Sequence, residues 1–192
     1  MKQILQLCGK LGLQLCCVLL IGCSGGKSAT WQEEVELSNH RVIIISRTES
    51  WVRELQFGER PTYGAADERL VFESAGEHYT WTGQQESPLL LEVDPDKKEF
   101  VLITIPISCE RYAAFNRPSP PYAEYRLGSG TWRRSDSMSR SFIGRKPNLL
   151  VDPNPQGETG MITRDLKKQR NAALGYNWLF NELVADGVRP GC

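Results

Sequence analysis

The side chains with the strongest chemistry in this 192-residue chain are six cysteines, two histidines and a run of carboxylates near its middle. Zinc asks for His and Cys ligands in spaced groups. His40 and His78 each stand beside a strand turn and outside any such group, so both read as surface residues. Asp94, Asp96 and Glu99 alternate as calcium ligands can, but an EF-hand loop needs more oxygens and a glycine at its sixth place. Pro95, Lys97 and Lys98 intervene, and the run reads as a solvated turn. Gly128-Ser129-Gly130 lacks the form of a G-x-S-x-G nucleophile elbow and reads as a hairpin turn. Neither glycine-rich phosphate motif, G-x-x-x-x-G-K-S/T or G-x-G-x-x-G, occurs. No catalytic, metal or cofactor residue is therefore assigned. A carboxylate pair assembled only by the fold, as glycoside chemistry uses, stays open.

The elements that must position these residues are mostly strands. Val35-Glu36-Leu37 and residues 42–46 flank Ser38-Asn39-His40, a turn between two hydrophobic runs. Residues 69–74 and 78–82 flank Ala75-Gly76 in the same way. Residues 89–93 and 100–105 flank the turn-rich stretch 94–98, and Pro106 ends the second of these strands because it has no ladder donor. Residues 122–127 and 131–134 make a fourth hairpin about Gly128-Ser129-Gly130. Between them, residues 116–121 (NRPSPP) must be extended or turning. Residues 135–160 read as a long loop tacked down by Phe142-Ile143 and Leu149-Leu150-Val151. Thr163 caps a helix running to about Leu174, with Asp165 in its first turn and Gly175 as its stop. A second short helix is expected near residues 177–185. The expected class is α+β: consecutive antiparallel hairpins, then one or two C-terminal helices packed on a sheet face.

The first two dozen residues have a different character. Lys2 and Lys10 make a basic start, and no acid precedes Glu33. Residues 11–22 are largely apolar but too few to cross a bilayer core. They end in Leu20-Ile21-Gly22-Cys23, which resembles the lipobox of bacterial lipoproteins. That resemblance implies that residues 1–22 are a cleaved signal peptide and that Cys23 carries a diacylglyceryl group on its thiol, its new amino group being acylated. Two or three chains anchor firmly where a single chain binds only marginally. Residues 23–30 then read as a lipidated tether and residues 31–192 as the folded domain. In enteric-type bacteria, Ser after the lipid-bearing cysteine, as Ser24 here, resembles outer-membrane export and favours that membrane.

Maturation of that kind changes the arithmetic. The loss of Lys2 and Lys10 leaves 21 basic against 23 acidic residues, and Cys8, Cys16 and Cys17 leave with the signal. With Cys23 consumed by lipid, Cys109 and Cys192 remain, and an exported compartment favours their bridging over two separate thiols. Charge is uneven along the chain. Residues 24–112 hold nine basic against sixteen acidic side chains, and residues 131–170 hold nine against four. The basic stretch either folds over the acidic sheet and pairs with it or meets an anionic partner. The aromatics Trp31, Trp51, Tyr79, Trp81, Tyr122, Tyr125 and Trp132 lie on or beside strands, where filling the core is the commoner role and ligand stacking the rarer.

Residues 31–37 (WQEEVEL) and 41–47 (RVIIISR), with Pro120-Pro121-Tyr122 and Asn148-Leu149-Leu150, resemble segments of uncharacterised proteobacterial proteins, a likeness that implies no site. Together these features lead us to expect an envelope lipoprotein, held in the membrane by Cys23 and facing the periplasm, that binds or scaffolds. Its expected partners are an envelope protein or a cell-wall polymer, with no cofactor and no nucleic acid. The alternative is an envelope hydrolase with acidic catalytic residues that no motif marks.

Overall fold

A computed structural model of the chain describes residues 26–54, 62–151, 160–173, 182–187 and 191–192. Period-two alternation builds the first sheet. In β1 (Lys27–Glu36) Ala29, Trp31, Glu33 and Val35 point inward and their neighbours outward. β1 turns through Ser38-Asn39-His40 into β2 (Val42–Glu54), which pairs antiparallel with β3 (Thr62–Ser74). β3 returns through the two-residue loop Ala75-Gly76, both with positive φ, into β4 (Glu77–Gln84). At Gln85 the chain crosses to a second sheet: β5 (Glu86–Val93), β6 (Phe100–Pro106), β7 (Ala123–Gly128) and β8 (Thr131–Arg134), side by side in chain order. Ser129 and Gly130, both at positive φ, close the β7–β8 hairpin. A two-residue strand, β9 (Met161–Ile162), lies parallel to β1 on the far edge of the first sheet.

The two sheets face one another over a shared core. Val35, Ile43, Ile45, Leu70, Phe72 and Trp81 come from the first, and Leu91, Phe100, Leu102 and Leu127 from the second. Full burial of each such side chain contributes about 1.5–3 kcal/mol. Trp81 shapes the packing locally: a Cβ on Gly83 would stand 2.2 Å from its ring, so only glycine fits there. β5 and β6 are buried on both faces, since Phe142, Val151 and Leu183 cover their outer side. Trp31, Trp51, Trp81 and Tyr122 are buried, and Tyr79, Tyr125 and Trp132 pack against the core, so the aromatics fill the interior.

Two helices complete the described chain. α1 (Cys109–Ala114) starts at Ser108, whose hydroxyl accepts the Arg111 N–H at 3.0 Å. α2 (Arg164–Ala173) starts at Thr163 and carries Asp165 in its first turn, as expected. The class is α+β, mainly antiparallel β, with one C-terminal helix among the described residues. All four expected hairpins form.

Four details differ from the sequence reading. β2 and β3 run well beyond the apolar runs that announced them, and α1 was not anticipated. β1 begins at Lys27, so backbone pairing with Trp51 takes in residues expected to be tether. Of the second C-terminal helix, residues 177–181 lie outside the described residues and residues 182–185 are not helical.

Candidate functional site

The segment 148–151 decides how the C-terminal third meets the sheets. Asn148 behaves as a strand residue in side-chain form: its Oδ1 accepts Leu91 N–H at 2.9 Å, and its Nδ2 donates to Leu91 O at 2.8 Å and to Glu36 O at 3.0 Å. It thereby ties the edge of β5 to the end of β1. Leu149, Leu150 and Val151 then enter three different apolar clusters. From α2, Asn171 holds this strap at both ends, accepting Val151 N–H and donating to Leu149 O.

Beneath the strap lies a buried ionic network on the inward positions of β1, β2 and β3. The Arg47 guanidinium, 5.0 Å over the Trp31 ring, donates to Glu33 Oε1 at 2.9 Å, Glu68 Oε1 at 2.5 Å and Leu150 O at 2.7 Å. Glu33 Oε2 accepts from Leu150 N–H at 2.9 Å and from Lys167 Nζ at 2.8 Å. Glu49, buried on the neighbouring inward position, faces Glu68 across the β2–β3 pair. Burial pushes Glu33 up, but the Arg47 and Lys167 cations outweigh it and hold its carboxyl below the ordinary range. Burial lowers Lys167, a shift that Glu33 opposes. Glu68 is pushed up to about 8 by burial, against the pull of Arg47 and with the added repulsion of Glu49. A proton on Glu68 lessens the repulsion between these neighbouring carboxylates.

Lys167 is also part of the floor of an open cleft of about 720 Å³ on the other side of the strap. Its walls are the end of β1 with the following turn, the segment 145–148, the β5 residue Glu92, α2, and Glu182. Reciprocal backbone bonds fix the 144–145 wall, Gly144 N–H to Leu183 O at 2.7 Å and Leu183 N–H to Arg145 O at 2.9 Å. On the β1 side the charges are matched: Arg164 donates to Glu36 at 2.6 Å, and its backbone N–H meets Glu34. The Arg164 and His40 bonds hold the Glu36 carboxyl below its ordinary range, with His40 the stronger influence. Arg145, Lys146 and Lys168 also line the cleft, and they have no ion-pair partner among the described residues. Part of the basic stretch pairs with the acidic sheet, through Arg164 and Lys167.

A second cavity, about 610 Å³, borders the network at Glu68 and includes Arg111. Arg111 is tied to Glu86 at 2.5 Å, and Glu86 also accepts from Thr104 and Tyr125. Burial, with Glu86 beside it, raises the Tyr125 hydroxyl above its ordinary value.

Of the residues singled out in the sequence, Cys109 and Cys192 form a disulfide, their Cα atoms 5.3 Å apart. It closes a separation of 83 residues, and chain entropy assigns such a loop about 4–5 kcal/mol. Cys23 lies outside the described residues. His40 and His78 are exposed, and no group of three metal-binding side chains occurs among the described residues. Asp94 is not simply a solvated turn residue: its Oδ1 accepts two turn N–H groups and its Oδ2 accepts from Arg126 at 2.6 Å. The cleft itself was missed, because its residues come from five separate stretches of chain. The excess of basic residues over 131–170 was the one trace of it.

No family model, curated protein or solved structure matches the chain.

Proposed function

We propose that this is a lipid-anchored protein of the bacterial envelope, outer membrane preferred, which binds or scaffolds through the cleft between β1 and α2. One observation carries the reading: three cations with no ion-pair partner among the described residues line a concavity at the end of β1 opposite to the one that Cys23 precedes in sequence. β1 spans ten residues, so at about 3.3 Å per residue the cleft stands roughly 30 Å along the strand from its first residue. Lys27, that first residue, is already paired to β2, and the link back to Cys23 is short. An anchor at Cys23 therefore leaves the cleft free to face the periplasm and what lies beyond the lipid surface. The disulfide supports an exported location, since such bridges persist in oxidising compartments. Among the described residues no helix is long and apolar enough to cross a membrane, so in this reading the lipid supplies the attachment.

The inner carboxylates do not favour the hydrolase alternative. Glu33 is fully buried and engaged by Arg47 and Lys167, which suits it to holding strands together rather than to meeting a substrate.

The test is mass spectrometry of the native host's membrane fraction without reduction. A mature chain beginning at an acylated Cys23, lost from the membrane in the Cys23→Ala variant, is the expected result. A chain still beginning at Met1, or a Cys23→Ala variant that stays in the membrane fraction, overturns the anchor.

A further inference from the structure

Glu92 sets the chemistry of the cleft's ligand. It is 5% exposed, lines the cleft and accepts Ser38 N–H through Oε2 at 2.6 Å. No cation reaches its carboxylate among the described residues. A buried carboxylate without a counter-charge is costly, and proteins tolerate one mainly where function supplies the partner. Facing the same space are Arg145, Lys146 and Lys168, likewise unmatched. The cleft thus offers two carboxylates, Glu92 and Glu182, and three cations, Arg145, Lys146 and Lys168, none of them ion-paired among the described residues, with Glu92 the buried one.

We infer that the cleft takes a short peptide bearing a free ammonium group and at least one carboxylate: the ammonium meets Glu92, and the carboxylates meet Arg145, Lys146 and Lys168. This rests on the cleft being the binding surface, and it adds the ligand class. About 720 Å³ falls within the range of pockets for small molecules and short peptides. Peptides of this charge pattern occur in the bacterial wall, where diamino acids leave an amine and carboxylates on one chain. A zwitterionic lipid headgroup has similar charges, but the length of β1 between tether and cleft favours a ligand away from the bilayer surface.

The probe is the tripeptide Ala-Glu-diaminopimelate, titrated calorimetrically into the full chain solubilised in detergent. The expected result is saturable binding, weakened at least tenfold when the peptide's amines are acetylated and at least tenfold when its carboxylates are amidated. Glu92→Gln should weaken the free peptide tenfold and leave the acetylated one unchanged. Lys168→Gln, at an exposed site that folding does not need, should weaken the free peptide threefold or more. Binding of the acetylated peptide as tight as the free one, or no saturable binding at millimolar peptide, overturns the inference. So does displacement by an equal concentration of phosphoethanolamine, which would make a headgroup the ligand. Retention on purified cell-wall sacculi, competed by the tripeptide, identifies the intact wall as the source; tripeptide binding without retention identifies released fragments. Failure here leaves the anchor standing, because fractionation of Cys23→Ala reads that separately.

Discussion

Lys167 and Lys168 are neighbours on α2, yet they belong to opposite kinds of electrostatic environment. Lys167 is the buried residue of that helix, donating to Glu33 and to the Glu34 carbonyl. Lys168 lines the cleft with no ion-pair partner among the described residues. In the inner network both cations are engaged and a proton on Glu68 lessens the repulsion between carboxylates; in the cleft both signs are present. A buried cation such as Lys167 needs a counter-charge, whereas an exposed one such as Lys168 is solvated without one. The contrast separates the charges that hold this fold together from those on which the proposed binding reading rests.

The largest effect should come from the centre of the matched region. Arg47→Met removes the cation shared by Glu33 and Glu68 and leaves their carboxylates facing one another in the core. Breaking a buried pair in this way costs about 4 kcal/mol, to be read as a drop in the urea midpoint with the slope preserved. A loss under 1 kcal/mol would show that water reaches the network and that it is not a buried one.

Lys167→Met comes next, with an expected loss of about 3 kcal/mol, because Glu33 keeps Arg47 but loses its second cation. Removing both partners together should cost less than the sum of the two losses: Lys167→Met with Glu33→Met leaves neither of the two to face a missing partner, although Arg47 still loses Glu33. Additive losses in that double-variant cycle would remove the grounds for treating Glu33 and Lys167 as one unit.

The same network carries a pH dependence assigned to Glu68. Its folded value of about 8 stands above the ordinary 4.5, so between these values the folded state holds a proton that the unfolded chain releases. Stability contributed by this group therefore falls as pH rises from about 4.5 to about 8 and is level above. Glu33 runs the other way, its contribution present above the ordinary carboxylate value and lost as pH falls through its lowered folded value. Thermal melts from pH 5 to pH 8 should show the decline, and Glu68→Gln should flatten it. An undiminished slope in Glu68→Gln would place the proton on another group.

The same contrast explains what could be read from the sequence. The hairpins were legible because Ile43, Ile45, Leu70, Phe72 and Trp81 keep an apolar residue at every second position beside turn-forming pairs such as Ala75-Gly76. β2 and β3 looked shorter than they are because their further inward positions carry Arg47, Glu49 and Glu68, which break the apolar period without breaking the strand. α1 hid behind a short helix length, and Ser108 before Cys109-Glu110-Arg111 was its only sign. The disulfide followed from counting cysteines left after export, not from any local pattern. The cleft had no local pattern either: Glu92 sits in an apolar strand and Arg145 in a loop, and bonds distant in sequence, Asn148 to Leu91 and Leu149 to Leu89 among them, bring those stretches together.

The smallest effect on stability belongs to the unmatched side. Lys168→Met should change the urea midpoint by less than about 0.5 kcal/mol, since the residue gives no ion pair to the fold. Beside Lys167→Met, one residue away on the same helix, the identical substitution then divides a structural lysine from an available one. Salt should repeat the division: the stability of the native chain should vary little between low and moderate ionic strength, because the inner pairs are buried and weakly screened. Ligand affinity should fall with salt, and less steeply in Lys168→Met, because one wall charge is gone. A Lys168→Met variant that lost as much stability as Lys167→Met would mean that Lys168 also serves the fold, and that the cleft's charges are not held in reserve.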